Sequence, residues 1–361
     1  MVKSAYIHIP FCKSKCHYCS FVSYVRPELK NDYLRVLTKE INFFYENEVL
    51  ETLYIGGGTP SILGVSEISN LIKLFRINVN TEVTLEVNPE GGSYDFFRGV
   101  YDAGVNRISL GCQSFNDGIL RLINRRHNAG QVVETVRLAQ DAGLSNISLD
   151  LIYGLPKQSQ EGFLHDLELA LTLGVKHISL YGLKLDEGCY FYQNLPEDLP
   201  DDDMQADIYL AAVEYLESRG FYQYEVSNFS QNGYNSAHNT VYWDNKEYYG
   251  FGAGAHGYKN GIRYENADDI TTYLSDYVTK KDSKLLTERE KLEETIFLGL
   301  RKTCGIDVSE INSRYGIDFE ERYKDVIQRY TKLNLLKKTE LGYKLTLQGV
   351  LVSNVVLADF I

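Results

Sequence analysis

The sequence predicts an α/β fold in which repeated strand–helix units form a partial barrel, followed by a small C-terminal module. Three observations support this prediction. Short apolar segments of strand character alternate with longer segments of helical periodicity over the first two thirds of the 361 residues. Glycines separate the units where helices should end, at Gly104, Gly143, Gly174 and Gly220. The last part of the chain has a different pattern, with helices followed by a short hairpin.

The strand–helix units can be assigned in chain order. The predicted strands are SAYIHIP, ETLYIGGGTP, EVTLEVNP, RISLGCQSF, ISLDLIYGLP and HISLYGLKL. The predicted helices are ELKNDYLRVLTKEINFFYE, EISNLIKLF, SYDFFRGVYDAG, QVVETVRLAQDAG, EGFLHDLELALTLG and MQADIYLAAVEYLESRG. This alternation is typical of βα units with parallel strands. Because roughly six units are fewer than the eight of a full (β/α) barrel, we expect an open, TIM-like (β/α)6 partial barrel.

The chain beyond the sixth unit divides into two further parts. Residues 222–290 contain EYYGFGAGAHGY, a segment rich in glycine and aromatic residues that does not have helical character. Residues 291–361 predict helices followed by the hairpin LLKKTELGYKLT, with its turn at Glu340, Leu341 and Gly342. We therefore expect a barrel over 1–221, a connecting region over 222–290 and a winged-helix-like module over 291–361.

Composition limits the classes of function. The net charge of −12 disfavours a nucleic-acid partner, which would require a basic face. No apolar segment is long enough for an integral membrane span, and the first ten residues do not form a signal peptide. We therefore expect a cytoplasmic protein. In that reducing compartment, a tight cluster among the six cysteines indicates metal binding or catalysis rather than disulfides.

Such a cluster lies directly after the first predicted strand. Cys12, Cys16 and Cys19 have the spacing C-x3-C-x2-C. Three thiolates would leave one iron of a 4Fe–4S cluster without a protein ligand, because these clusters are normally held by four cysteines. A structural zinc site is the alternative and would require a fourth ligand, for which His8 and His17 are the neighbouring histidines. The spacing favours the iron–sulfur cluster.

Other polar groups follow the remaining strands. In chain order these are the glycine turn GGGTP at 56–60, then Glu86 and Asn88, then Gln113 and Asp150. In parallel barrels the functional groups lie at the C-terminal ends of the strands, so we expect these groups to share one mouth. The glycine turn lacks the lysine of a phosphate-binding loop, but it permits a small polar ligand to approach the backbone. An ordinary tight strand–helix turn is the alternative.

These motifs together resemble the radical S-adenosylmethionine (SAM) superfamily. The segments CKSKCHYC, GGGTP, LEVNPE, RISLGCQSF, INRRH and DLIYGLP occur in the order found in the subgroup that contains the anaerobic coproporphyrinogen III dehydrogenase and its heme-chaperone relatives. The resemblance covers nearly the whole chain. It implies that the three cysteines hold a 4Fe–4S cluster whose open iron binds SAM. The residues that it implies beside SAM are Tyr6, Gly57, Gly58, Thr59, Glu86, Gln113, Arg125 and Asp150. The alternatives are a surface charge for Arg125 and a helix cap for Asp150.

Three features are similar to the chaperones rather than to the dehydrogenase. The dehydrogenase has a further cysteine where this chain has Phe21, and it has a long extension before the first cysteine. The segment HNTVYW at 238–243 matches the HNxxYW signature of the chaperones, whereas Ser20 departs from their usual Asp or Asn. The resemblance therefore implies a heme carrier with a cluster and exchangeable SAM. Oxidative decarboxylation of coproporphyrinogen is the alternative, and whether the chain is an enzyme stays open.

The same resemblance implies heme and heme-accepting proteins as partners, with membrane respiratory enzymes as one candidate class. His238 is the predicted heme ligand, because histidine commonly ligates heme iron and because Tyr242 and Trp243 could stack on a porphyrin. His256, among glycines that would admit a flat ligand, is the alternative. Both histidines could instead be hydrogen-bonded groups that connect the barrel to the C-terminal module.

Overall fold

The computed structural model describes residues 2–361. The strands are β1 (Ser4–Ile9), β2 (Thr52–Gly57), β3 (Glu82–Val87), β4 (Arg107–Gln113), β5 (Ile147–Tyr153), β6 (His177–Gly182), β7 (Tyr222–Glu225), β8 (Asn228–Ser230), β9 (Tyr249–Phe251), β10 (His256–Lys259), β11 (Ile262–Glu265), β12 (Asp282–Leu285), β13 (Ile306–Asp307), β14 (Leu336–Lys338) and β15 (Gly342–Leu345).

The helices alternate with these strands over the first part of the chain and dominate the last part. They are α1 (Lys30–Phe44), α2 (Val65–Ile72), α3 (Tyr94–Asp102), α4 (Asp117–Leu122), α5 (Ala129–Asp141), α6 (Gln160–Thr172), α7 (Tyr190–Gln193), α8 (Asp202–Ser218), α9 (Ala237–Trp243), α10 (Ile270–Ser275), α11 (Glu288–Gly299), α12 (Val308–Tyr315), α13 (Phe319–Arg322), α14 (Lys324–Lys332), α15 (Leu347–Leu351) and α16 (Ser353–Ala358). None of the helices within residues 2–361 has the length and apolar character needed to cross a membrane.

The large sheet has the strand order β7-β8-β6-β5-β4-β3-β2-β1-β9. Strands β1 to β6 pair in parallel, in chain order, and β9 continues the parallel pairing beside β1. At the other end β8 and β7 are added antiparallel. The sheet is open, and its six central strands with their intervening helices confirm the predicted partial barrel.

The main core lies between this sheet and its helices, where side chains such as Ile7, Leu53, Leu85 and Leu149 are fully buried. Helix ends follow the sequence signals. The side chain of Asn128 accepts from the backbone of Gln131 in a capping box at the start of α5. Gly174 follows α6 with φ +69°, a left-handed conformation that glycine adopts without strain.

Residues 222–290 contain structure that the sequence pattern did not predict. β7, β8 and β9 extend the main sheet, HNTVYW forms most of α9, and β10, β11 and β12 form a separate antiparallel sheet. The three-part division of the chain stays a prediction.

The C-terminal module has a core of its own, formed by side chains such as Ile296, Phe319, Leu336 and Phe360. The predicted hairpin is present as β14 and β15, and β13 pairs with β15 as the third strand of this small sheet. Lys302 of the module forms an ion pair with Asp244, the residue that caps the C-terminal end of α9, at 2.7 Å. The module therefore packs on the helix that carries the HNTVYW segment.

Candidate cofactor site

A cavity of about 390 Å³ opens at the C-terminal ends of the central strands. Ten of the residues predicted from the sequence line it: Cys12, Cys16, Cys19, Gly57, Gly58, Thr59, Glu86, Gln113, Arg125 and Asp150. These residues come from six separate parts of the chain, and the parallel sheet brings them together. The expectation that the strand ends share one mouth agrees with this arrangement.

The cysteine loop after β1 is held by backbone hydrogen bonds. The Cys12 N–H donates to the Tyr24 carbonyl at 3.0 Å, and the Cys19 N–H donates to the Cys16 carbonyl at 3.2 Å. His17 accompanies the loop but is bonded elsewhere, with its Nδ1 2.9 Å from the Leu122 carbonyl oxygen. The loop therefore presents its three thiols, and not this histidine, to the cavity.

His8 is also committed to other partners. Its Nδ1 lies 2.9 Å from the Tyr6 hydroxyl, and its Nε2 lies 2.8 Å from the Val22 carbonyl oxygen. Within residues 2–361, no three His, Cys, Asp or Glu side chains are grouped as one metal ion would require. His8 and His17, the two histidines considered as a fourth zinc ligand, are therefore hydrogen-bonded to other groups instead.

The thiols occupy a partly dehydrated environment. Burial raises the pKa of Cys12 and raises that of Cys19 to about 11. The Thr59 hydroxyl acts against this rise at Cys12, because it donates to Cys12 Sγ at 3.5 Å. An Arg125 nitrogen donates to Cys16 Sγ at 3.6 Å. Iron binding would therefore have to displace thiol protons, as metal binding to cysteine generally does.

Arg125 points into the cavity rather than to the surface. Its guanidinium donates to Asn88 Oδ1 at 2.8 Å and to the Gly111 carbonyl oxygen. Its Nε is buried and has no acceptor among the described residues. A buried donor without an acceptor is costly, so the arginine is suited to an anionic group that enters the cavity. The alternative of a surface charge is wrong for Arg125; the neighbouring Arg126 is the exposed one.

The glycine turn after β2 has no room for side chains beside the cysteine loop. A β-carbon on Gly58 would lie 2.8 Å from the Phe11 carbonyl oxygen and 3.0 Å from Cys12 Sγ. Gly57 has φ +118°, and a β-carbon there would meet the His8 ring at 2.7 Å. The turn therefore exposes bare backbone to the cavity at the point where the cysteines lie.

Two carboxyl groups face the cavity from β3 and β5. Glu86 accepts from the Tyr54 hydroxyl at 2.7 Å and from the Gly57 N–H at 3.0 Å. Burial, with the charge of Asp150 adding to it, raises the pKa of Glu86 to about 7. Burial also raises the pKa of Asp150, although Ser109 donates to it at 3.1 Å. Because Asp150 lies inside β5, the helix-cap alternative is wrong.

Gln113 ends β4 at an irregularity of the sheet. Its φ is +69°, and the pairing between β4 and β5 shifts register between Gly111 and Gln113. A non-glycine residue in this conformation is uncommon and is often found at functional sites. The irregularity directs the Gln113 side chain into the cavity wall.

Tyr6 and His238 lie outside the cavity lining. Tyr6 is behind it, with its ring 6.0 Å from that of Tyr54. His238 is 1% exposed; its Nδ1 lies 2.8 Å from the Thr52 hydroxyl and its Nε2 2.8 Å from the Tyr242 hydroxyl. Burial, with the charge of Arg107 adding to it, lowers the pKa of His238 to about 3. In this conformation neither ring nitrogen is free for iron, and the two bonds join β2 to Tyr242 of α9 rather than the barrel to the C-terminal module.

Sequence reasoning missed several residues of the site. Tyr54 and Ser109 also line the cavity from the interiors of β2 and β4, and Tyr181 lines it from near the end of β6. The signal that could have found Tyr54 and Ser109 is the alternation of side chains along a strand. Tyr54 lies on the same face as Gly56, and Ser109 on the same face as Gly111, because each pair is two residues apart.

The chain is similar to known proteins both in sequence and in fold. The Radical SAM superfamily profile matches residues 6–170, and the HemN C-terminal domain profile matches residues 286–352. The fold superposes on the Escherichia coli coproporphyrinogen III oxidase HemN, described as a radical SAM enzyme, with a TM-score of 0.87 over 99% of this chain and 89% of that one. The two sequences are 24% identical, so this likeness concerns the fold. The fold is that of a radical SAM protein.

The similarity to curated relatives is more specific. The chain is 38% identical to the heme chaperone HemW of Lactococcus lactis, over 99% of this chain and 97% of the relative. It is 36% identical to the heme chaperone HemW of Bacillus subtilis, over 100% and 99% of the two chains. The chain belongs to the HemW family.

Proposed function

We propose that the protein is a heme carrier that holds a 4Fe–4S cluster and exchangeable SAM and delivers heme to acceptor proteins. The observation that carries this proposal is the full-length match to relatives named heme chaperone HemW. The cavity supports it, because the cysteines and the other predicted cofactor residues share one space.

The cysteine loop fits the cluster. Cys12, Cys16 and Cys19 are its proposed ligands, and a cluster held by three thiolates would supply an iron with one position open to SAM. Gly58 keeps the space beside Cys12 free of a side chain. The hydroxyl of Thr59 donates to Cys12 Sγ and would stabilise its thiolate form, and the guanidinium of Arg125 donates to Cys16 Sγ.

The remaining cavity residues fit SAM. We assign the ligand's carboxylate to the unbonded Nε of Arg125, and its amino or hydroxyl groups to Glu86 and Asp150. The bare backbone of Gly57 and Gly58 would allow close approach, and Thr59 and Gln113 would contribute polar contacts. Tyr6 borders the site through its neighbours Tyr54 and His8.

Heme coordination by His238 requires a second conformation. The ring would have to leave Thr52 and Tyr242, at a cost of about 0.5–1.5 kcal/mol for each hydrogen bond. Coordination of the iron would offset that cost. His256 is exposed at the start of β10 and is the alternative ligand that needs no such opening.

We propose the cytoplasm as the location and unidentified heme-accepting proteins as the partners, membrane respiratory enzymes among the candidate classes. All six cysteines of the described chain are free thiols, which suits a reducing compartment. The net charge of −12 disfavours nucleic acid.

Anaerobic reconstitution with iron and sulfide, followed by separate titrations with SAM and heme, tests the proposal. We expect about four iron and four sulfide per chain, saturable binding of both ligands, and transfer of heme to an apo-acceptor. With SAM, a reductant and coproporphyrinogen, we expect no protoporphyrinogen. Formation of that product over multiple turnovers would favour the dehydrogenase alternative. A reconstituted protein that does not bind heme would exclude the function of a heme carrier.

A further inference from the structure

A line of hydrogen-bonded groups crosses the barrel interior from the start of α9 to Asp150 in the cofactor cavity. The backbone N–H of Ser236 donates to the Tyr224 hydroxyl at 3.2 Å, and this hydroxyl lies 2.8 Å from Nε2 of His177. Nδ1 of His177 lies 2.7 Å from the Ser148 hydroxyl, which donates to Asp150 Oδ1 at 3.5 Å. Only Asp150 among these residues lines the cavity.

The protons of this line point in one direction. A backbone N–H at one end can only donate, and an ionised carboxylate at the other end can only accept. Burial, with the charge of Arg107 adding to it, lowers the pKa of His177 well below its ordinary value, so the neutral ring carries one proton. If Nε2 donated that proton to Tyr224, the hydroxyl proton of Tyr224 would have no acceptor among the described residues. The ring proton therefore lies on Nδ1 and is donated to Ser148.

The end of the line at Asp150 is supported from both neighbouring strands. Ser109 of β4 donates to both oxygens of Asp150 at 3.1 Å. Ser148 also lies 3.3 Å from Ser179, the residue that pairs with Asp150 in β6. Burial raises the pKa of Asp150, whereas hydrogen bonds from the three serine hydroxyls act against this rise. The hydroxyls therefore hold the carboxylate in one orientation, as an acceptor of hydrogen bonds.

The tautomer of His177 decides what Ser148 can give to Asp150. Ser148 has a single hydroxyl proton. While Nδ1 of His177 donates to the hydroxyl oxygen, this proton is available to Asp150. In the opposite tautomer Nδ1 would be an acceptor and would compete with Asp150 for the same proton. Hydrogen bonds in a line of this kind also polarise one another, so a change at one end is felt at the other.

We propose that His177 is a positioning residue for SAM, which acts through Ser148 on the orientation of Asp150. This inference rests on the proposed function, in which Asp150 accepts from an amino or hydroxyl group of SAM. His177 is fully buried and lies outside the cavity, so it does not contact the ligand itself. Tyr224 acts one step further away, because its hydroxyl determines which ring nitrogen of His177 carries the proton.

Binding of SAM to the reconstituted full-length protein and to two variants of His177 tests the inference. His177→Leu removes both ring nitrogens, and we expect SAM to bind about two- to tenfold more weakly, the usual effect of one lost hydrogen bond. His177→Asn keeps an N–H in the position of Nδ1, and we expect it to recover most of the affinity. Iron and sulfide content should be the same in all three proteins. Unchanged affinity in His177→Leu, or equal losses in the two variants, would overturn the inference.

Tyr224→Phe tests the line from its other end. We expect this variant to bind SAM more weakly, although Tyr224 does not line the cavity. Tyr209→Phe is the matched control, because the buried Tyr209 hydroxyl also accepts from an N–H, that of Gln223 at 2.7 Å, and donates onward, to the Val226 carbonyl oxygen at 2.8 Å. The control should keep the SAM affinity of the unaltered protein. An equal loss in both tyrosine variants would overturn the inference.

Nitrogen-15 NMR of the reconstituted, histidine-labelled protein provides a measurement that does not depend on SAM. We expect the His177 signals, identified by their loss in His177→Asn, to show a protonated Nδ1 and an unprotonated Nε2. The opposite tautomer in the unaltered protein would overturn the inference and leave the proposed function intact. Failure of the unaltered protein to bind SAM would instead overturn the proposed function, and the role of His177 with it.

Discussion

Single residues of the site are distinguished by what they bond to. Cys16 lies beside the guanidinium of Arg125 in the cavity. Cys112, by contrast, is fully buried in β4, and Cys304 is exposed between α11 and β13. The loop cysteines share one environment that the other cysteines lack. Residue type and spacing are enough to predict this group, because its members are close in sequence.

Replacement of Cys16 tests the assignment of the thiols. Cys16→Ala should abolish the broad visible absorbance of the reconstituted cluster, because two thiolates and an alanine cannot hold it as three thiolates do. Cys304→Ser is the control and should retain the iron and sulfide content of the unaltered protein. Full iron and sulfide in the Cys16 variant would show that these cysteines are not the ligands.

Glu86 should make the stability of the cluster-free protein depend on pH. Its pKa rises from the ordinary 4.5 to about 7 on folding, so the folded state binds the proton more tightly than the unfolded state. The contribution of Glu86 to the free energy of unfolding therefore falls as the pH rises from about 4.5 to about 7. Glu86→Gln should remove this fall, which denaturant unfolding at several pH values would measure. An unchanged pH dependence in the variant would contradict the assignment.

At the scale of elements, the glycine turn after β2 joins the sheet to the cysteine loop. Gly58→Ala should destabilise the protein by about 1–3 kcal/mol, the usual cost of overpacking, and reduce cluster incorporation. The reason is the carbonyl oxygen of Phe11, a backbone atom that would lie 2.8 Å from the new β-carbon. The measurements are denaturant unfolding and iron content.

Gly64→Ala is the control for this substitution. Gly64 is exposed at the start of α2, and its β-carbon would have no neighbour nearer than 3.8 Å. Gly64 is the N-cap of α2, where alanine is less favourable than glycine, so we expect a loss of no more than about 1 kcal/mol and an unchanged iron content. Equal stability and iron content in the two variants would show that the turn tolerates a side chain beside the cysteines.

The elements also show where sequence-based prediction works. β1 to β6 and their helices are long enough for hydrophobic periodicity to define them. β8 and β9 have only three residues each and owe their conformation to pairing with the edges of the sheet, which local sequence does not encode. In the site, the cysteines, the glycine turn and Asp150 belong to sequence motifs and could be predicted, whereas Tyr54 in β2 belongs to no such motif and is recognised only through its contacts.

At the scale of the whole molecule, the two predicted ligand sites lie at opposite ends of the barrel. The cavity is at the C-terminal ends of the strands, whereas His238 is bonded to Thr52, the first residue of β2. The C-terminal module contacts the same helix through Asp244 and Lys302. No residue of α9 lines the cavity, so a substitution in α9 need not disturb the cysteine loop.

Heme titration of His238→Ala and His256→Ala distinguishes the two candidate ligands. We expect His238→Ala to change the heme absorbance band and weaken heme binding, while iron and sulfide content stay unchanged because no residue of α9 lines the cavity of the cysteines. His256→Ala should bind heme like the unaltered protein, since this histidine is exposed and lies outside the contacts of α9. If His238→Ala keeps the spectrum and affinity while His256→Ala loses them, the ligand lies on β10. Heme capture would then need no opening of the barrel, and the cluster and SAM assignments would stand.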